Sequence, residues 1–365
     1  MKTSFISSMS VQTTMRNSIA SAQRDLVDAN TEAVSGRYAD IGAQLGASTS
    51  RALDLTRDIS RIDSLYSTAA LATQRLDSAE LSLSNINDLT TEMQNAILTL
   101  GGTSDETSLS TARTTMSSAL DAFTGFVNTA VNGEYIFSGI NTDVKPMNDL
   151  LSDDSKAKKA FDDELNWYIA DKGIGSKEAM TADDMTDFLA DMEEKFNGTK
   201  LMEAPENVDD NGDPVDFWST YVSNATDENM KSRISPTEVV DTSTNANSKG
   251  MRYFALSAMV ATTFMQTGMS NEARGVVAEQ TRSYISQASS GINQQRTTIG
   301  VATERVSKAE ESLQAQKDIL TTHLGSLENV DAAEAATRVN TLQTLLETAY
   351  SVTAKIQNLS LVNYL

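Results

Sequence analysis

The chain has 365 residues, no cysteine, a net charge of −21 and a pI of about 4.4. Disulfides and thiolate metal sites are therefore excluded. A phosphate backbone or an anionic lipid surface would need clustered Lys and Arg, so neither a nucleic acid nor a membrane is expected as a partner. The opening residues, Met1-Lys2-Thr3-Ser4-Phe5-Ile6, lack the apolar run of about 7–15 residues that a secretory signal requires. The most apolar stretch, residues 255–265, is well short of the about 20 residues needed to span a bilayer.

Residues 1–50 begin with a narrow stripe, Val11, Met15, Ile19, Ala22, Leu26, Ala29 and Ala33, spaced by fours and threes. That is the seam of a coiled coil, and Ser35-Gly36 ends it with a residue suited to a left-handed cap. Residues 51–144 form the first half of a helical rod. One stripe runs from Leu55 through Ile62, Leu76 and Ile86 to Leu100, up to a turn at Gly101-Gly102. Another runs Leu109, Ala112, Met116, Ala119, Phe123, Phe126 and Ala130, and Asn132-Gly133 closes it. The following Glu134-Tyr135-Ile136-Phe137-Ser138-Gly139 reads as a short extended segment.

Residues 145–249 differ in kind. All four prolines and both tryptophans lie here, and proline is the residue a helix interior tolerates least. This middle is read as an acidic inserted globular domain. Helices are expected near residues 155–171 and 181–196, a turn at Asp209-Asp210-Asn211-Gly212-Asp213-Pro214, and a strand or edge segment over residues 233–240.

Residues 250–330 form the returning half of the rod. They are helix-compatible from about residue 251 to 288, then carry a heptad series at Val306, Leu313, Leu320 and Leu327, with Ala309 and Val330 on the adjacent row. Residues 331–365 repeat the pattern with Val339, Leu342, Leu346, Ala349 and Ile356. Such thin, alanine-rich stripes cannot build a deep core alone; each needs another helix to complete it. The predicted fold is mainly α: a long antiparallel helical coiled-coil bundle formed by the N- and C-terminal flanks, with an inserted α+β middle domain. Met15, Ile19, Leu26, Val339, Leu342, Leu346 and Ile356 are the expected assembly-packing residues.

Catalytic chemistry is not supplied. His323 is the only histidine and falls on the seam row of Ala309 and Val330, a packed or half-exposed position without ligand or triad partners. Gly173-Ile174-Gly175-Ser176-Lys177-Glu178 has Glu where a dinucleotide loop needs its third Gly. Asp209-Asp210-Asn211-Gly212-Asp213 puts Gly at the wrong place for a calcium loop. No catalytic residue, metal ligand or cofactor site is expected.

Three stretches resemble a known family. Asp331-Ala332-Ala333-Glu334-Ala335 is similar to the segment that opens the last helix in the flagellin superfamily, and Leu359-Ser360-Leu361-Val362-Asn363-Tyr364-Leu365 to its apolar tail. Gly133, Tyr135, Ile136, Phe137, Ser138 and Gly139 match the Gly-x-Tyr-Leu/Ile-Phe-Ser-Gly motif of the flagellar hook–filament junction branch, the hook-associated protein 3 family. The resemblance covers roughly the first 145 and last 115 residues. One departure is that Arg37-Tyr38-Ala39-Asp40 lacks the Asp-Asp-Pro-like turn usual after Ser-Gly. The resemblance implies a non-enzymatic structural subunit of the bacterial flagellum. It would be exported unfolded by the type III route with a chaperone on its C-terminal helices. It would be located outside the cell, in a ring of its own copies between hook-associated protein 1 and flagellin. Flagellin itself, or another helical protein of type III export, is the alternative.

Overall fold

A computed structural model describes residues 8–100 and 105–362; the Gly101-Gly102 turn and the last three residues of the apolar tail lie outside them. The helices are α1 (Ser8–Ser35), α2 (Ile41–Leu45), α3 (Thr49–Leu100), α4 (Glu106–Val127), α5 (Lys156–Asp171), α6 (Ala182–Phe196), α7 (Lys249–Phe264), α8 (Asn271–Glu328) and α9 (Ala332–Val362). Two antiparallel hairpins accompany them: β1 (Ala130–Val131) with β2 (Glu134–Tyr135), and β3 (Lys231–Arg233) with β4 (Val239–Asp241). The protein is mainly α, with an inserted α+β region. No helix among the described residues is long and apolar enough to cross a membrane. The chain divides into two compact units, residues 1–64 with 313–365, and residues 65–312; α3 and α8 contribute to both.

In the first unit α1 and α9 run antiparallel. Gln23 Nε2 donates to Tyr350 Oη at 2.7 Å, and Met15 Sδ accepts from Thr353 Oγ1 at 3.8 Å. Gly36 ends α1 at φ 69°, its N–H donating to Glu32 O at 2.8 Å. In place of the missing Asp-Asp-Pro-like turn, Asp40 caps the short α2 by accepting from Ala43 N at 2.8 Å. Asp331 opens α9 the same way, accepting from Ala333 N at 2.8 Å.

The second unit has one apolar core. The alanine-rich face of α3, with Ala69, Ala72, Leu76, Leu83, Ile86 and Met93 all buried, continues into α4 and α7, where Phe123 stacks on Phe254 with ring centroids 4.3 Å apart. Residues 145–249 share this core. Phe188 of α6 meets Phe264 of α7 edge-on at 5.7 Å, and the buried Tyr284 of α8 donates its hydroxyl to Leu189 O at 3.0 Å. Small residues allow one close crossing. A Cβ on Gly250 of α7 would lie 2.6 Å from Ile292 N of α8.

Several local expectations need correcting. Helix α4 stops at Val127, and Ala130 is exposed on β1. The Asn128 side chain ends the helix by bonding both backbone groups of Met147, at 3.0 Å each. Of the segment up to Gly139, Glu134 and Tyr135 form the strand; the chain then turns on either side of Ser138, which makes an isolated antiparallel bridge to Asn245 and donates from Oγ to Tyr135 O at 2.9 Å. Residues 233–240 form a hairpin around Pro236 rather than one strand. The stretch from 251 to 288 is broken between Phe264 and Asn271, where Ser270 Oγ accepts from Ala273 N at 3.1 Å and starts a new helix. On α8 the buried row passes from Leu313 to Leu324 and Glu328, leaving Leu320 and Leu327 half-buried and His323 exposed. A straight helix drifts by about 20° per heptad, and an 11-residue step from Leu313 follows that drift where a seven-residue step does not.

Candidate assembly surface

The apolar seam between α1 and α9 uses one face of each helix. Alanines sit deepest: Ala22, Ala29 and Ala335 are buried. Of the expected packing residues, Leu346 is buried, while Met15, Ile19, Leu26, Val339, Leu342 and Ile356 are half-buried. Among them, Met15 touches the opposite helix through its sulfur, which accepts from Thr353 Oγ1. Their partial exposure leaves apolar surface beside the seam, where Met15 and Ile19 join Leu345, Ala349 and Val352 to line a groove of about 610 Å³.

The seam is fixed in register at its inner end by polar contacts that do not follow from the apolar stripes. Glu32, 8% exposed, accepts from Arg338 Nη1 at 3.0 Å and from Ala39 N at 3.3 Å. Glu328, equally secluded, pairs with Arg37 at 3.4 Å. Two backbone bonds run between these ion pairs, Tyr38 N to Glu328 O at 3.0 Å and Val330 N to Gly36 O at 2.9 Å. The two helix breaks, after Ser35 and after Glu328, are therefore stitched together.

The family-motif residues form a second knot, in the second unit. Asn132 and Gly133 take φ of 53° and 84°, the two positive values of a tight hairpin turn between β1 and β2. Tyr135 is half-buried, and Ile136, Phe137, Ser138 and Gly139 are buried. Phe137 O accepts from Ala246 N at 2.8 Å, and Ser138 O accepts from Thr226 N at 3.1 Å. A Cβ on Gly139, whose φ is 70°, would lie 2.6 Å from the carbonyl oxygens of Thr226 and Glu228. The motif thus anchors the strand-like return of the insertion to the point where the insertion leaves the rod.

The acidic insertion holds one buried charge cluster. Glu164, Asp191 and Glu203 converge closely enough to hold a cation. That cation is the Lys195 ammonium, fully buried and bonded to all three, with Lys200 bridging Asp191 and Glu203 from outside. Glu164 also accepts from Glu203 N at 3.0 Å and Ala204 N at 3.1 Å. Burial pushes Lys195 down, but its bonds to Asp191, Glu164 and Glu203 outweigh this and hold it above the usual lysine value. The Asp209–Asp213 segment is a turn in which Asp209 accepts from Asn211 N at 2.8 Å and Asp213 N at 3.0 Å. Gly173, at φ 67°, terminates α5 instead of opening a phosphate loop.

Residues 6–142 match the family model for the bacterial flagellin N-terminal helical region, and residues 283–365 match that for the bacterial flagellin C-terminal helical region. Among solved structures, one described as a flagellar hook-associated protein from Vibrio parahaemolyticus is similar. It has a TM-score of 0.50 and 13% identity, and covers 77% of this chain and 97% of that one. At that identity the likeness is one of fold. No curated protein matches the chain.

Proposed function

We propose that this chain, which belongs to the flagellin family through the helical regions at both of its ends, is the adaptor that joins hook to filament in the bacterial flagellum. That it is a structural flagellar subunit, and not an enzyme, follows from the family. The adaptor role is supported chiefly by one observation: in the junction-type motif, Ile136, Phe137, Ser138 and Gly139 form a buried anchor, with Phe137 and Ser138 bonded to Ala246 and Thr226. The fold likeness to a protein described as hook-associated agrees with it.

In this reading the subunit leaves the cell unfolded through the type III channel, attended by a chaperone on its C-terminal helices. Outside, its copies form a ring between hook-associated protein 1 and the first layer of flagellin. The half-buried seam of α1 and α9 supplies the mechanism. An isolated pair with so little buried area is marginal, and it orders fully when neighbouring subunits cover what the seam leaves exposed. The seam methionine, Met15, adapts to small differences in subunit spacing.

Flagellin itself is the second reading, favoured by the descriptions of both matching family models. A strain lacking the gene separates the two. If hooks remain, filaments fail to attach and flagellin leaks into the medium, the adaptor reading stands. Filaments that attach normally, or loss of the hook, contradict it.

A further inference from the structure

Residues 65–312 hold twelve methionines, and eleven of them, from Met93 to Met269, are at most 4% exposed. Met230, just ahead of β3, is the exception and is half-buried. Buried thioethers fill the core and are closed to reagents in water. The Met230 sulfur is the one in this unit that a small solute can approach.

That sulfur lies against a cation. Met230 Sδ accepts from Arg75 Nη1 on α3, while the other arm of the same guanidinium, Nη2, pairs with Glu134 on β2. The backbone of Met230 is fixed as well. Its N–H donates to Ser243 Oγ at 2.7 Å, and its carbonyl oxygen accepts from Thr242 N at 2.8 Å. Arg75 therefore ties β2 and the residue before β3 to one helix. A thioether is a weak acceptor and leaves a guanidinium donor poorly satisfied. A sulfoxide oxygen is polar, and its bond to a cation would be charge-assisted.

We propose that Met230 is a site of oxidation by hydrogen peroxide, and that Arg75 holds the sulfoxide formed there. A sulfur lone pair attacks one peroxide oxygen and the O–O bond breaks. The departing hydroxide takes the proton of the transferred oxygen and leaves as water. Sulfur is oxidised by two electrons and the peroxide is reduced. Oxidation of a core methionine loosens a fold, because a polar oxygen enters apolar surroundings. At Met230 the oxygen forms beside a guanidinium with a donor to give, so the modification strengthens the contact between α3 and the start of β3. Access decides where the reaction occurs, and Arg75 decides its effect. The proposal stands apart from the adaptor reading and does not rest on it.

The test treats the full chain with hydrogen peroxide and reads each methionine by peptide mass spectrometry. Met230 should oxidise at least about tenfold faster than the eleven secluded methionines. Fluorescence of Trp167 and Trp218 then follows denaturant unfolding, with Met230→Leu, oxidised in the same way, correcting for the accessible Met9 and Met15. After that correction, oxidation is expected to leave the midpoint of the natural chain unchanged or raised, and to lower that of Arg75→Lys, which lacks the second arm. If Met230 reacts no faster than the secluded methionines, it is not the site. If it reacts and the natural midpoint falls, or if Arg75→Lys keeps its midpoint, Arg75 does not hold the product. Should Arg75→Lys not fold, Met230→Gln replaces it, its amide oxygen standing in for that of the sulfoxide. A midpoint at or above that of Met230→Leu supports the bond to Arg75, and one below it refutes the bond.

Discussion

Glu32 and Arg338 meet at 3.0 Å although 306 residues separate them, and Glu328 and Arg37 repeat the relationship with the roles of the two flanks exchanged. Each end of the chain therefore gives the other one secluded carboxylate and one arginine. The consequence is register. An alanine-rich seam can slip by a heptad at little cost, whereas a buried carboxylate without its cation is penalised. Glu32→Ala is expected to lower the stability of the α1–α9 pair by about 1 kcal/mol, a modest figure because Arg338 remains half exposed. Exchanging the two residues, Glu32→Arg with Arg338→Glu, is expected to recover part of the loss. Thermal melts of the four species would give the coupling, and an additive result would mean that the pair sets nothing.

The Lys195 cluster predicts a pH profile. Burial opposes the charge of Glu203, but Lys200 and Lys195 outweigh it and hold its carboxyl below the ordinary glutamate value of 4.5, while the Lys195 ammonium is held above the ordinary lysine value of 10.5. A depressed acid contributes stability that is present above 4.5 and lost as pH falls through its folded value. A raised lysine contributes stability that is present below 10.5 and lost as pH rises through its folded value. The insertion is expected to be most stable between these limits. Lys195→Met should remove its share of the alkaline loss and destabilise by about 3–5 kcal/mol, because Glu164 is left as an unpaired buried charge. Adding Glu164→Gln should return part of that. Trp167 fluorescence would report the transition, since the Lys195 ammonium lies 5.7 Å from its ring centroid.

Gly139 should be among the least replaceable positions of the motif. Gly139→Ala combines a left-handed backbone with a Cβ pressed against two carbonyl oxygens, and should cost more than about 2 kcal/mol. Gly212→Ala is the control: its φ is also positive, but nothing lies within 4 Å of the added carbon. Denaturant midpoints of the two variants should differ clearly. Equal midpoints would mean that the approach to Thr226 and Glu228 relaxes without cost.

If folding of α1 and α9 is coupled to assembly, amide hydrogen exchange should be fast over residues 8–35 and 332–362 in the monomer. It should slow by orders of magnitude in the assembled state, while α4 and α7 stay protected in both. Strong protection of α1 and α9 in the monomer would contradict the coupling.

What could be read from the sequence depended on period and punctuation. The α3 row from Ile62 to Leu100 is buried as its spacing requires, because a continuous helix with one apolar face has one way to bury it. The helices of the insertion were announced by Ser155 and Thr181, both of which cap. The interruption after Phe264 was less visible because no proline marks it. The signal was Ser270 ahead of Glu272, an N-cap followed by an acid in the first turn. The ion pairs of Glu32 and Glu328 and the cluster around Lys195 were not legible, since partners such as Arg338, 306 residues from Glu32, or Glu164, 31 residues from Lys195, are chosen by the fold and not by local pattern.

Where the protein sits in the flagellum separates an adaptor from a filament subunit. Immunogold electron microscopy of intact flagella, with an antibody raised against residues 145–249, tests this directly. The account predicts a single narrow band of label at the joint between hook and filament. Label distributed along the whole filament would contradict it and identify the chain as a filament subunit.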